Sequence, residues 1–346
     1  MNKRSIASIA IVAAAALALS GCSSDSGSEA DSGAAASGEL SAVNVINGPL
    51  RDQALFDAAA PGMEKIKADG AKIQNIQGEV SSPAQWKTNL ESVSGGDWDV
   101  VITGTSQMHD ILDQAAPKYP DQKFITYDDV VEQPNVASII YKQNEGSYLA
   151  GVLAAEVTLN TDKFPLATGS KKLGLVGGMD IPIINDFVVG FEKGVEAVDP
   201  SIEVLVSYVG DFADANKGFD QATAMYKQGA DVVFQVAGGA GQGVFKAAKD
   251  HNRYAIGVDA NQNAIQEGHI LASMLKNIGE SLYTAVKASE AGTLKYGETT
   301  EYGLANNGVS LVFEDNGNIV PQDIQDSVKA YAQKVIDGEI KVPTTM

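Results

Sequence analysis

A chain of 346 residues with 44% apolar content is long enough for two domains of ordinary size, and its 25 basic against 44 acidic residues leave a net charge of −19. That charge repels phosphate backbones and excludes nucleic acid as a partner class. A single cysteine, Cys22, rules out an intrachain disulfide. His109, His251 and His269 have no second His or Cys at ligand spacing, so neither a structural metal nor any cofactor is expected.

Lys3 and Arg4 precede the apolar run IASIAIVAAAALALS, which is shorter than the roughly 20 apolar residues of a membrane span. The run ends in Leu19-Ser20-Gly21-Cys22, which resembles a bacterial lipobox. The resemblance implies that residues 1–21 are a signal peptide, cleaved before Cys22, and that Cys22 is lipidated. The Ser, Gly, Ala and acidic residues up to Glu39 have no large apolar side chain to bury. Residues 22–40 are therefore expected to be a flexible linker from the lipid anchor.

From Ala42 the chain alternates strands and helices. AVNVI breaks at Asn47-Gly48-Pro49, and a helical pattern runs through Met63 and Ile66. AKIQNIQGEV and WDVVITG read as strands, HDILDQAAPKYP as a helix stopped by Pro120, and KFITYDD and NVASIIYK as strands. EGSYLAGVLAAEVTL has helical spacing. The theme then restarts: KLGLVGG, a helix over IINDFVVGFEKGVEAV, the strand IEVLVSYVG, a helix ended by Gly229, the strand ADVVFQVAGG, a helix, and YAIGVDA. Strands alternating with helices of 10–15 residues mean parallel βαβ units, so the fold class is α/β.

The two stretches echo each other. WDVVITGTSQMHDILDQAA and ADVVFQVAGGAGQGVFKAA share one plan, and KFITYDD and YAIGVDA share another. Two similar lobes, each a parallel sheet flanked by helices, imply a cleft between them, where ligands bind preferentially. The expected division is residues 41–140 plus 257–297 for the first lobe and 141–256 plus 298–346 for the second.

Candidates come from loops after strands, where open α/β sheets bind ligands. These are residues 47–52, 104–110 (with Ser106), 177–187, 237–241 and 257–259. Phe187 in GGMDIPIINDF is either core or a ring offered to a ligand, and Phe56 has a comparable place in the first lobe. Asp259 ends an apolar strand, and a carboxylate there suits a vicinal diol. Lys276 either snorkels or donates into the cleft. The tryptophans, Trp86 and Trp98, lie before or within strands, not after them. Ser106 and His109 are too close in sequence for a triad, and no GxSxG occurs. No enzyme activity is expected.

VGGMDIPIINDFVVGFEKGVEAVDP, NVASIIYKQNEGSYLAGVLAAE, the long stretch from YVGDFADANKGF to VFKAAKD, and IGVDANQ resemble the basic membrane protein family, lipoproteins of the purine nucleoside receptor A type. The resemblance spans most of residues 41–310. It implies a two-lobe type I periplasmic-binding-protein fold that delivers nucleosides to the permease and ATPase subunits of an ABC importer. It implies anchoring on the outer face of the cell membrane, and a base stacked between aromatic rings with polar groups on the ribose. Matched residue by residue, it points to Phe187, Asp110, Gly239, Asp259 and Lys276. The first loop departs from the family's Asp-x-Ser-Phe-Asn pattern: here Asp52 is followed by Gln53-Ala54-Leu55-Phe56, leaving open whether Leu55 or Phe56 forms the first wall. Other ligands (a sugar, riboflavin, a signalling molecule) and a ligand-sensing receptor component stand as alternatives.

Overall fold

The computed structural model describes residues 39–345. The expected signal peptide, Cys22 and nearly all of the expected linker lie outside the described residues. Two six-stranded sheets are each flanked by helices. The first has the order β11-β5-β4-β3-β1-β2, from β1 (Ser41–Ile46), β2 (Lys72–Gln77), β3 (Val100–Gly104), β4 (Phe124–Tyr127), β5 (Val136–Tyr141) and β11 (Thr299–Tyr302). The second has the order β12-β10-β9-β8-β6-β7, from β6 (Lys172–Gly177), β7 (Glu203–Tyr208), β8 (Val232–Val236), β9 (Tyr254–Asp259), β10 (Ile270–Lys276) and β12 (Val309–Val312). All pairings are parallel except β10 with β12.

The sheet orders superpose term by term, β3 on β8 and β4 on β9, so the two sequence echoes occupy matching places. Central strands such as β3 and β8 are buried throughout, as expected for parallel strands covered on both faces. The helices carry their apolar stripes inward. Helix α5 (Pro182–Val198) begins at Pro182, whose fixed φ suits a first turn and whose missing N–H is not needed there. It buries Phe187, Phe191 and Val195. Against it lies α4 (Gln143–Leu159), nearly all buried. A Cβ on Gly194 would lie 2.0 Å from the Tyr148 carbonyl oxygen, so only glycine permits this backbone approach.

The expected lobe division needs correcting. Strands β9 and β10 pair with β8 and with each other, so residues 257–276 belong to the second sheet. The chain returns to the first half only after Lys276, through α8 (Ile278–Glu290), which packs on α1 (Leu55–Ala68). Strand β11, expected in the second lobe, pairs with β5 in the first. The physical reason is the echo itself: YAIGVD stands beside VVFQV as FITY stands beside VVITG. The chain thus crosses between the halves three times, after β5, after β10 and between β11 and β12. Among the described residues no helix is long and apolar enough to cross a membrane.

Candidate functional site

A cavity of about 360 Å³ opens between the carboxyl ends of the two sheets, a size suited to a small organic ligand. Four strand-end segments of the first half and five of the second line it. Of the expected residues, Asp52, Phe56, Ser106, Phe187, Gly239, Asp259 and Lys276 come together there. Asp110 does not: it is exposed in the first turn of α3 (His109–Ala115), because a short 3-10 turn at Ser106–Met108 carries the chain away from the cavity first.

The polar floor is built from strand ends. Asp128, just after β4, and Asp259, at the end of β9, have φ of +62° and +65°. This left-handed conformation is uncommon outside glycine and turns each carboxylate out of the strand pleat. Lys276, at the end of β10, donates to Asp128 Oδ1 at 2.6 Å, with the Lys276 and Asp128 side chains only 2% and 9% exposed. Its Nζ also stands 4.9 Å from the Phe187 ring centroid and 5.8 Å from that of Tyr141, within cation–π range. Among the described residues none donates a hydrogen bond to the Asp259 carboxylate. Burial pushes its pKa up to about 7; Lys276 pulls it down, and Asp128 and Asp52 push it further up. Asp129 diverges from Asp128 and meets His109 Nδ1 at 2.9 Å, away from the cavity.

Asp52 is already engaged. Its carboxylate accepts from the N–H groups of Ala54, Phe56 and Asp57 at 3.0, 3.1 and 3.1 Å and so caps α1. Burial raises its pKa against the pull of those three donors. Ser106 lies at the 3-10 turn after β3, and Gly239 at the matching 3-10 turn after β8.

The apolar walls come from both halves. Leu55 and Phe56 both line the cavity, and the Phe56 ring lies over Gly48: a Cβ there would be 2.5 Å from Phe56 Cε2. In the second half Phe212, in the loop after β7, lies over Gly178, where a Cβ would be 2.3 Å from Phe212 Cδ1. Phe212 was not singled out from sequence, although GDF after an apolar strand is the same kind of strand-end loop as the candidates that were. Phe187 forms the cavity floor. It is 2% exposed and packs against Phe234 with centroids 6.3 Å apart.

Two further residues escaped the sequence reading. Trp86 lines the cavity from α2 (Pro83–Val93), its Nε1 donating to the Glu79 carbonyl at 2.7 Å. It lies in the connection after β2, not before or within a strand as expected, and so does reach the site. Gln262 donates across the halves to the Gln53 carbonyl at 2.6 Å and accepts from Gln235 Nε2 and the Val258 N–H. Its signal was the last residue of IGVDANQ. Among the described residues no group of three or more His, Cys, Asp or Glu side chains is placed to hold a metal.

Residues 40–346 match the family described as ABC transporter substrate-binding protein, PnrA-like. The chain belongs to this family. It is 30% identical to the ABC transporter nucleoside-binding protein BmpA of Lactococcus lactis subsp. cremoris, covering 99% of this chain and 100% of that one. It is 32% identical to a CD4+ T-cell-stimulating antigen of Listeria monocytogenes over 99% of both chains. An ABC transporter solute-binding protein from Aeropyrum pernix superposes with a TM-score of 0.78 at 27% identity, covering 88% of this chain and 94% of that one. The chain is thus a substrate-binding protein of an ABC transporter, an extracytoplasmic class that binds a ligand and works with permease and ATPase subunits.

Proposed function

We propose that the cleft binds a nucleoside, with a purine nucleoside favoured, and that the protein presents it to an ABC importer from a lipid anchor at Cys22. The observation that carries this reading is the pair of rings on opposite halves, Phe56 over Gly48 and Phe212 over Gly178, at one cavity. Each glycine leaves room for a ring after the first strand of its half, and a heterocycle between two rings gains stacking beyond simple burial. The free Asp259 carboxylate then accepts from two ribose hydroxyls, a geometry suited to a vicinal diol. Lys276 neutralises Asp128 and leaves one uncompensated acid for the sugar. The name borne by the Lactococcus relative supports the same ligand class. The reading has no chemical step; hinge closure over the ligand is its only event.

Calorimetry on the purified protein with adenosine, guanosine, uridine, the free bases, ribose and riboflavin tests it. Tight binding of a ribonucleoside, with weak binding of its base and of ribose, is the expected pattern. Ribose binding as tightly as adenosine would remove the stacking argument and favour a sugar receptor. Mass spectrometry of Cys22 for an attached diacylglyceryl group tests the anchor.

A further inference from the structure

Residues 342–345 touch the starts of two helices that matter for the cleft. The Asn144 side chain donates to the carbonyls of Val342 and Pro343 at 3.1 and 3.0 Å. Asn144 belongs to the first turn of α4, directly after the chain crosses from β5 into the second half. Thr345 holds the first turn of α5 at two points: its N–H donates to Asp186 Oδ1 at 2.9 Å and its hydroxyl to the Pro182 carbonyl at 3.0 Å. The other Asp186 oxygen accepts from Gln143 Nε2 at 2.8 Å.

Asp186 is 1% exposed, and among the described residues no cation pairs with it. A buried carboxylate held only by neutral donors costs folding free energy. What that cost secures is position: Pro182 and Asp186 are four residues apart on one face of α5, while Ile183, Ile184 and Phe187 of the same turns line the ligand cavity. A second cavity of about 320 Å³ lies on the tail side, sharing Asp128 and Ile183 with the first. Gln143, Asn144, Asp186 and Val342 also line it, and the side-chain amide oxygen of Gln143, buried at its edge, has no partner. Together with Gln143, the strap ties the helix end at the edge of that space.

We propose that Asp186 is a positioning residue for ligand binding, and that residues 342–345 act through it as a strap fixing the α5 wall of the cleft against the hinge at the start of α4. The proposal rests on the cleft being the ligand site, and not on which ligand fills it.

Thr345→Pro removes both tail donors to α5, Asp186→Asn turns one of the carboxylate's two acceptors into a clashing donor, and Thr345→Val keeps the N–H bond to Asp186. The full chain carrying each change is compared with wild type in adenosine affinity, in melting temperature without ligand, and in hydrogen exchange at the amides of 183–188. Thr345→Pro and Asp186→Asn are expected to weaken adenosine about tenfold, the worth of one hydrogen bond to a charged group. Both should speed exchange at 183–188. The melting temperature should stay at the wild-type value in Thr345→Pro, at an exposed position, and fall in Asp186→Asn, whose buried clash also costs folding. Thr345→Val should match wild type. Unchanged exchange at 183–188 in Thr345→Pro would overturn the proposal. So would a fall in the melting temperature of Thr345→Pro with exchange faster throughout the second half, which marks a merely structural tail. If wild type binds no nucleoside, the nucleoside reading fails by itself, and exchange at 183–188 alone decides on the strap.

Discussion

Asp128 and Asp259 stand at equivalent places in the two sheets, at the ends of β4 and β9, in the same left-handed conformation. Their fates differ. Asp128 is held by Lys276 at 2.6 Å, whereas Asp259 has no donor among the described residues and holds its proton up to about 7. The difference comes from the connection that follows each strand: β10 brings Lys276 over to Asp128, and the first half has no matching cation at Asp259. A duplicated architecture thus yields one neutralised acid and one available acid. An asymmetric ligand, flat at one end and hydroxylated at the other, needs that difference. The rings show a partial symmetry: Gly48 and Gly178 follow equivalent strands, β1 and β6, but Phe56 comes from the connection after β1 and Phe212 from the one after β7.

Several substitutions break or sharpen this contrast. Lys276→Ala leaves two buried acids without a cation, and urea unfolding should show a loss of about 3–5 kcal/mol together with loss of binding. Phe187→Ala should cost about as much in folding, roughly 3–5 kcal/mol for a buried ring, because Phe187 packs on Phe234 beneath the cavity. Phe212→Ala should leave folding nearly intact and cost about 1–3 kcal/mol of nucleoside binding by calorimetry; an equal loss of folding stability would move Phe212 into the core and end the two-ring argument.

The pH dependence probes Asp259 directly. The folded protein keeps this proton to about pH 7, while the unfolded chain loses it near 3.8. Between those values folding takes up a proton. The Asp259 contribution to the stability of the ligand-free protein is therefore greatest below 3.8, falls across the window and is flat above 7. Asp259→Asn should remove this decline in thermal unfolding followed from pH 4 to 8. Ligand hydroxyls favour the charged carboxylate, so ribonucleoside affinity should rise with pH up to about 7 and then level off. A 2′,3′-dideoxynucleoside, which has no diol, should show no such rise. Asp110→Ala, on the surface and off the cavity, should change both affinity and stability least, by less than about 0.5 kcal/mol.

The α/β class, the restart after Lys171 and the two echoes were legible in the sequence, because strand and helix periods are local and fully buried strands read as apolar runs. Seven of the eight expected cleft residues were legible for the same reason, since each follows a strand or ends one. Asp110 misled because one 3-10 turn decides whether a residue just past a strand faces inward or out. Phe212 and Trp86 were passed over because an aromatic, half-buried like Phe212 or buried like Trp86, has no local mark of what its ring faces.

The sequence by itself determined the βα alternation, the twin halves and the acidic surface, all properties of spacing and composition. Only the tertiary structure decided which half β9, β10 and β11 join, which acid Lys276 neutralises, and that Thr345 reaches Asp186. Those outcomes depend on pairings and contacts between residues far apart along the chain, and no local periodicity encodes them.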